Sequence, residues 1–303
     1  MAIDLHQHLW PAPFLAALRA RRTPPRLDGW ELHLPDEPPY AIDPAHHDPV
    51  ARAAQAAEDG AELVLVAPSA ALGLERLPAG ESAALAAAWL DGALALPVPF
   101  RAWAMAGTRD PDPGALEAAL DAGAVGLELA ADALAAPGGL DRLAPLLEVL
   151  ERAGRPLLVH PGPAGADAGA GRPRWWGPVV PYVAQLHAAW WTWADGGRER
   201  YPRLPVCFAA LAGLGPLHGE RRRARGGGDG GTIDTLAFVE TSSYGVQAVD
   251  AIVRVLGIDV VCHGSDRPYS APAALGLGAA ASHAIRTANP GRLLAHIPQE
   301  VPA

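Results

Sequence analysis

The sequence has 303 residues, of which 50% are hydrophobic and 19% are charged, so the chain can bury a large core and is not predicted to be disordered. Its formal net charge of −9 argues against nucleic acid or an anionic membrane as the main partner. We find no secretion signal and no apolar run that could span a membrane, and Cys207 and Cys262 are far apart in the chain. We therefore expect a cytoplasmic protein whose two cysteines are reduced.

Short apolar segments recur along the chain and are separated by segments of helical periodicity. The segments that we predict to be strands span residues 3–6, 62–66, 100–104, 124–129, 156–160, 205–209, 236–240 and 260–263. Helices are predicted between them, for example over residues 51–57, 83–96, 116–121 and 140–153. Eight strands that alternate with helices predict one domain, an α/β protein with the (β/α)8 or TIM barrel fold. A doubly wound open sheet is the disfavoured alternative, because no glycine-rich dinucleotide motif follows any strand.

Three insertions interrupt this alternation, over about residues 9–50, 161–201 and 212–232. Each follows a predicted strand and therefore leaves from the carboxyl-terminal face of the barrel, where such enzymes have their active sites. We expect the first two to form pocket walls and the glycine tract of the third, residues 226–231, to be mobile. Tryptophans at 190, 191 and 193 are expected on a helix, in the core or at a subunit interface, which makes a homo-oligomer possible.

Histidine and aspartate residues lie at the ends of three predicted strands. His6 and His8 are two residues apart, so their side chains project to the same side of the first strand, and this pair alone fits either half of a metal site or a chance surface feature. His160 ends the fifth strand and Asp266 follows the eighth. Because strand ends converge at the mouth of a barrel, these four side chains can bind one divalent ion. We expect zinc, with manganese or iron as alternatives, and Asp266 as both ligand and proton acceptor.

The chain contains no lysine, since all 24 of its lysine and arginine positions are arginines. This composition excludes Schiff-base chemistry, a phosphate-binding lysine and a metal pair bridged by carbamylated lysine. Catalysis must therefore depend on histidine, carboxylates, arginine, hydroxyl groups or a metal ion.

Four motifs together resemble the amidohydrolase-related branch of the amidohydrolase superfamily. They are His6-Gln7-His8, His160-Pro161, the stretch Gly-Ser-Asp-Arg-Pro over residues 264–268 and Asn-Pro-Gly-Arg-Leu over residues 289–293. The resemblance covers nearly the whole chain and implies a metal-dependent barrel enzyme. Members of this branch include hydrolases, lactonases and nonoxidative decarboxylases similar to aminocarboxymuconate semialdehyde decarboxylase. By resemblance, the metal ligands are His6, His8, His160 and Asp266.

The sequence departs from that family pattern after the sixth strand, where a histidine is expected and Ala210 stands instead. His218 is our first candidate for a substitute and His263 is the second, whereas His187 is expected to pack within a helix. Arg267 is a candidate for binding a substrate carboxylate through a bidentate pair. Glu240 could be a second carboxylate near the ion or a plain strand-end acid, and the sequence favours neither.

Three functions remain open on these grounds. Our leading expectation is a hydrolase that uses a metal-activated water to cleave a small ester, lactone or amide. The alternative is a metal-assisted nonoxidative decarboxylase of an aromatic or unsaturated carboxylic acid, although the missing histidine counts against a reaction that must protonate carbon. The third is a barrel that binds a metal or a small molecule without turnover. Each of these takes a small molecule as its partner.

Overall fold

The computed structural model describes residues 1–168, 171–227 and 233–295, and its centre is a ring of eight parallel strands. The strands are β1 (Ile3–His8), β2 (Leu63–Ala67), β3 (Phe100–Ala102 and Ala104–Met105), β4 (Leu127–Ala130), β5 (Leu157–His160), β6 (Val206–Phe208), β7 (Ala237–Glu240) and β8 (Val261–Cys262). All eight predicted strands are present, with ends that differ from the prediction by a few residues. The first strand continues to His8 rather than ending at His6, because residues 7 and 8 still pair with β2.

The strands follow one another around the ring in chain order. Each strand from β1 to β8 pairs in parallel with the next strand in the chain. At Trp103 the third strand passes from one partner to the next, since the Trp103 amide donates to Val66 and the Ala104 amide donates to Gly126. The chain after β8 closes the ring, because the Leu5 amide donates to the His263 carbonyl at 3.0 Å and the Asp266 amide donates to the His6 carbonyl at 2.8 Å. The prediction of a (β/α)8 barrel is confirmed.

Helices surround the ring and cover its outer face. They are α1 (Ala12–Ala20), α2 (Pro49–Glu58), α3 (Ala79–Leu94), α4 (Pro113–Asp121), α5 (Ala131–Ala135), α6 (Gly139–Ala153), α7 (Trp176–Val179), α8 (Pro181–Thr192), α9 (Arg198–Arg200), α10 (Gly219–Ala224), α11 (Val246–Leu256), α12 (Gly278–His283) and α13 (Asn289–Leu293). A π-helical turn, Trp193–Gly197, continues α8, and a second, Ala284–Ala288, precedes α13. None of the helices in the described part of the chain is both long and apolar enough to cross a membrane.

The barrel interior is filled by alternate side chains of the strands. Leu5, Leu65, Trp103, Leu158 and Phe238 belong to this layer, and each is at most 1% exposed. Each large aliphatic or aromatic side chain buried in this way contributes roughly 1.5–3 kcal/mol through the hydrophobic effect. The two cysteines, Cys207 and Cys262, are free thiols in the same layer, as the sequence predicts.

The first insertion folds into ordered structure of its own. After α1 it forms a small antiparallel sheet of three strands, Arg26–Asp28, Glu31–His33 and Tyr40–Ala41. The adjacent histidines His46 and His47 in this insertion are predicted from the sequence to be solvent-exposed, but His47 is buried. Its ring lies between the indoles of Trp10 and Trp30, with nearly parallel planes, and the backbone amide of Trp10 donates to its Nδ1 at 3.0 Å.

The other two insertions also contribute helices near the mouth of the barrel. Trp190 and Trp193 are buried, as expected for core residues, while Trp191 is half-buried. After β6, the chain has left-handed backbone over residues 210–214, makes a short turn up to His218 and then forms α10. Of the glycine tract predicted to be mobile, residues 228–231 lie outside the described residues.

Candidate metal centre

The structure brings the four predicted ligands together at the carboxyl-terminal rim of the barrel. His6, His8, His160 and Asp266 each offer one ligand atom, and these four atoms all lie within 4.8 Å of one another. The Nε2 atoms of His6 and His8 are 3.1 Å apart, and the His8 Nε2 lies 3.2 Å from the Asp266 Oδ1. The three imidazole rings are nearly perpendicular to one another. Three rings of this orientation can point one nitrogen each at a common centre.

Each imidazole is oriented by an oxygen atom that accepts a hydrogen bond from its other nitrogen. The Nδ1 of His6 donates to the Glu240 Oε1 at 3.2 Å, and the Nδ1 of His8 donates to the Ala67 carbonyl at 3.0 Å. The Nδ1 of His160 donates to its neighbouring Pro161 carbonyl at 2.8 Å. These bonds leave the lone pair of every Nε2 free, which is the arrangement by which proteins prepare histidines to bind metal ions.

Asp266 is positioned by the backbone around it. Its φ of 58° is left-handed, which is uncommon for a residue other than glycine and tolerated best by aspartate and asparagine. The Asp266 amide is held by the His6 carbonyl, and the Ser265 amide donates to the Asp4 Oδ1 at 3.1 Å. The turn therefore fixes the Asp266 carboxylate next to β1.

Glu240, at the end of β7, is the most heavily bonded acid in the site. It is fully buried, and its Oε1 accepts from the His6 ring, from the Ala210 amide at 2.7 Å and from the Ser242 hydroxyl. Its Oε2 accepts from the Ser242 amide at 2.6 Å. Gly264 is required beside it, because a Cβ at that position would lie 2.0 Å from the Glu240 Oε2. The sequence left the role of Glu240 open, and the structure places it behind His6.

The electrostatics of the cluster favour a positive charge at its centre. Burial lowers the pKa of His6, but the hydrogen bond and charge of Glu240 and the charge of Asp266 outweigh it and raise this pKa to about 9. Burial holds the pKa of His160 well below its usual value, and the charges of the other two histidines lower it further. The carboxylates that attract a proton to His6 would equally stabilise a divalent cation in the same place.

Two further carboxylates, which the sequence did not single out, are buried near the cluster: Glu128 lies beside His160, and Glu75 lies near Glu128. The Glu128 Oε1 lies 3.7 Å from the His160 Nδ1 and accepts from the Ala70 amide at 3.2 Å. Within the described part of the chain the Glu75 Oε1 has no hydrogen-bond partner. Burial, with the nearby charge of Glu128, raises the pKa of Glu75 to about 8. Glu128 could have been suspected from its place on a predicted strand, whereas nothing local marks Glu75.

The structure does not bring the remaining predicted catalytic residues into the cluster. His218 packs edge to face with His187, with ring centroids 4.8 Å apart, in a separate surface cavity. His263 is buried beside Asp4, whose Oδ2 is 3.8 Å from its Nε2. Arg267 forms its bidentate pair with Asp59, from its Nε and from a terminal nitrogen at 2.9 Å. The guanidinium predicted to bind substrate is therefore already paired within the protein.

Tyr269 is a neighbour of the cluster that the sequence reasoning missed. Its ring centroid lies 5.5 Å from that of His8, and it is 49% exposed. Its amide donates to the Asp266 carbonyl at 2.9 Å. Its position three residues after Asp266 is the only signal that could have found it.

No family model and no curated protein matches the chain, but many solved structures share its fold. IDCase of Metarhizium anisopliae has a TM-score of 0.77 at 15% identity, with 98% of this chain and 97% of that chain covered. The 5-carboxyvanillate decarboxylase of Sphingomonas paucimobilis has a TM-score of 0.74 at 19% identity, with 97% and 98% covered. The 2,6-dihydroxybenzoate decarboxylase of Rhizobium has a TM-score of 0.70 at 18% identity, with 97% and 98% covered. The predicted resemblance to amidohydrolase-type barrels is confirmed at the level of the fold.

Proposed function

We propose that this protein is a metal-dependent enzyme that removes the carboxyl group of an aromatic acid as carbon dioxide, without an oxidant. The observation that carries this proposal is the convergence of four ligand atoms within 4.8 Å at the rim of the barrel. Support for the reaction class comes from the solved structures of the same fold, several of which are decarboxylases of hydroxylated benzoic acids. This reverses the order of the sequence-based expectations, in which hydrolysis came first.

The residues present fit a divalent metal ion. Three imidazoles and one carboxylate, with no lysine in the chain, form a donor set suited to zinc, manganese or iron. A 5-carboxyvanillate decarboxylase of Novosphingobium aromaticivorans with this fold contains manganese. We therefore propose manganese or zinc as the ion. A bound ion would supply positive charge that holds the acid and stabilises the negative charge that develops on it.

Asp266 is the group that we assign to proton transfer. Decarboxylation places a proton on the ring carbon, and the electron pair of the breaking carbon–carbon bond remains with that carbon while carbon dioxide leaves. The Asp266 side chain is 21% exposed, whereas the side chains of His6, His8 and His160 are at most 7% exposed. Asp266 can therefore collect a proton from solvent and pass it to a substrate. With this assignment, Ala210 no longer counts against decarboxylation.

Hydrolysis of an ester, lactone or amide stays as the second candidate. The same four ligands suit the activation of water, with Asp266 as its proton acceptor. Structures named as amidohydrolases share the fold, among them one from Staphylococcus aureus with a TM-score of 0.70 at 15% identity. We do not propose an inert barrel, because every imidazole in the cluster is oriented for binding.

The test has two parts, a metal analysis and a substrate panel. We expect about one equivalent of a divalent transition metal per chain. Release of carbon dioxide from 2,6-dihydroxybenzoate or 5-carboxyvanillate would support decarboxylation, and turnover of aryl esters or lactones alone would establish the hydrolase instead. The protein is produced in medium supplemented with manganese or zinc. If the purified protein then contains no metal, both the decarboxylase and the hydrolase proposals are wrong.

Substitution of the proton donor separates binding from chemistry. Asp266→Asn should lower kcat at least about 100-fold, because the amide cannot transfer a proton at this position. Asp250→Asn, on the exposed face of α11, is the matched control and should leave kcat unchanged. Metal content is measured for both variants, so that loss of the ion is distinguished from loss of the proton donor.

A further inference from the structure

A cavity that is wide open to solvent lies on the surface between α8 and α10, separate from the metal centre. Its volume is about 670 Å³, within the range of small-molecule sites. The α8 segment and its π-helical continuation contribute one wall, and the residues around α10 contribute the other. The residues that line it are His187, Ala188, Trp191, Thr192, Asp195, His218, Arg221, Arg222 and Arg225. None of them belongs to the metal centre.

The lining carries an excess of positive charge in a protein whose net charge is −9. Among the lining residues in the described part of the chain, Asp195 is the only acid, and it lies 3.3 Å from a terminal nitrogen of Arg222. Within residues 1–168, 171–227 and 233–295, neither Arg221 nor Arg225 forms an ion pair or a side-chain hydrogen bond. Arg221 lies in α10 and Arg225 directly follows this helix; both line the cavity, where their like charges repel. An anion between them would relieve that repulsion.

The rest of the lining supplies an aromatic surface and neutral hydrogen-bonding groups. The Arg222 guanidinium lies 5.5 Å from the ring centroid of Trp191, so the charge and the indole form one wall. His187 and His218 contact each other edge to face. Partial burial and the nearby His218 lower the pKa of His187, which disfavours its charged form. A neutral imidazole can donate one hydrogen bond to an acceptor without adding charge.

We propose that this cavity binds a small organic dianion, with Arg221 and Arg225 holding its charged groups and Trp191 contacting its carbon skeleton. The chemistry is that of a phosphate monoester or a dicarboxylate, both of which arginine recognises through paired N–H donors. The site does not depend on the proposed decarboxylase activity. It is a second binding site, joined to the metal centre through α8, whose Gln185 accepts from the Gly162 amide two residues after His160.

The experiment is titration calorimetry on the full chain with three probes, namely phenyl phosphate, phthalate and inorganic phosphate. The double variant Arg221→Gln/Arg225→Gln should bind the organic probes at least tenfold more weakly than the unmodified protein. Arg223→Gln is the matched control, because Arg223 lies on the same helix but does not line the cavity. It should bind them as the unmodified protein does. Preference for phenyl phosphate over phthalate would identify the ester, and the opposite preference would identify the dicarboxylate.

Four results would overturn the proposal. The first is no measurable binding of either organic probe at millimolar concentration. Equal loss in the double variant and in Arg223→Gln would show general attraction to a basic helix. Binding that a chelator abolishes and the arginine variants leave intact would belong to the metal centre. Equal affinity for inorganic phosphate and phenyl phosphate, unchanged in Trp191→Ala, would exclude a site for an organic ligand.

Discussion

Glu240 illustrates how one buried side chain can determine the properties of a site without pointing into it. Its carboxylate accepts from the His6 ring, the Ala210 amide and both donors of Ser242, and so satisfies four hydrogen-bond donors at once. Oxygen acceptors behind a histidine ligand fix its tautomer and increase the electron density on its metal-binding nitrogen.

We predict that Glu240→Gln weakens metal binding by about 10–100-fold while the fold is retained. The amide group of glutamine must direct an NH₂ at one of the donors that now surround the carboxylate. Metal affinity is measured by competition with a chromophoric chelator. Glu220→Gln, at an exposed position on α10, is the control and should bind metal normally. An unchanged affinity in Glu240→Gln would contradict the role given to this acid.

Glu75 gives a pH dependence to the free energy of unfolding. Its pKa is raised to about 8 in the folded protein, mainly by burial, whereas the unfolded chain titrates near 4.5. The folded state therefore binds this proton more tightly, and stability decreases as pH rises from about 4.5 to 8. One such group contributes a slope of at most about 1.4 kcal/mol per pH unit.

Glu75→Gln should remove that contribution, because the amide stays neutral throughout. We expect the free energy of unfolding of the variant, measured by urea denaturation, to decline less steeply than that of the unmodified protein between pH 5 and 8. Identical slopes for the two proteins would show that Glu75 is ionised in the folded state.

The segment after β6 is unusual among the elements of this fold. Its residues 210–214 have φ values from 47° to 59°, which is the left-handed region, although only Gly213 is a glycine. Each such residue with a side chain costs about 1–2 kcal/mol. Leu211 and Ala212 are fully buried in the core cluster, and this burial offsets the backbone cost. Gly213 is required, since a Cβ there would lie 2.5 Å from the Val183 carbonyl of α8.

Ala210→Gly should therefore stabilise the protein, by about 0.5–1 kcal/mol, since glycine adopts this conformation without strain. An alanine-to-glycine substitution in a right-handed helix should instead lower the free energy of unfolding. Ala87→Gly, at an exposed position of α3, is expected to cost about 1 kcal/mol. Both are measured by chemical denaturation, and equal signs for the two variants would contradict the argument.

The elements themselves were predictable because each strand and each long helix has its own periodic pattern. Strand ends also identified His6, His8, His160 and Asp266, since the barrel fold converts the end of a strand into a position on the rim. Pairings between distant segments were not predictable. The partner of Arg267 comes from the end of α2, a segment 208 positions away along the chain, and no local pattern reports such a contact.

At the scale of the whole molecule, the candidate metal centre joins distant parts of the barrel. Its candidate ligands come from β1, from β5 and from the turn after β8, which are widely separated in sequence. Because the unfolded chain does not hold these groups together, an ion that binds them stabilises only the folded state.

Metal removal should consequently lower the stability of the entire barrel. At a free ion concentration 100 times the dissociation constant, the expected stabilisation is about 2.7 kcal/mol. Thermal unfolding is followed with the metal-loaded protein, after treatment with a chelator and after metal is restored. The His160→Ala variant lacks one candidate ligand, so its melting temperature should differ little between the metal-loaded and the chelator-treated protein. Equal melting temperatures for the loaded and stripped forms of the unmodified protein would contradict a site that spans the barrel.

The close approach of Gly264 to Glu240 has a consequence for how this protein can vary. Any side chain at position 264 would occupy the space of the Glu240 carboxylate, which orients the His6 ring. Substitutions at positions 264 and 240 are therefore expected to be coupled. A selection from a library randomised at 264 alone should return glycine. A library randomised at both positions should return the parental pair and, beyond it, only clones in which a bulkier residue at 264 is matched by a shorter one at 240.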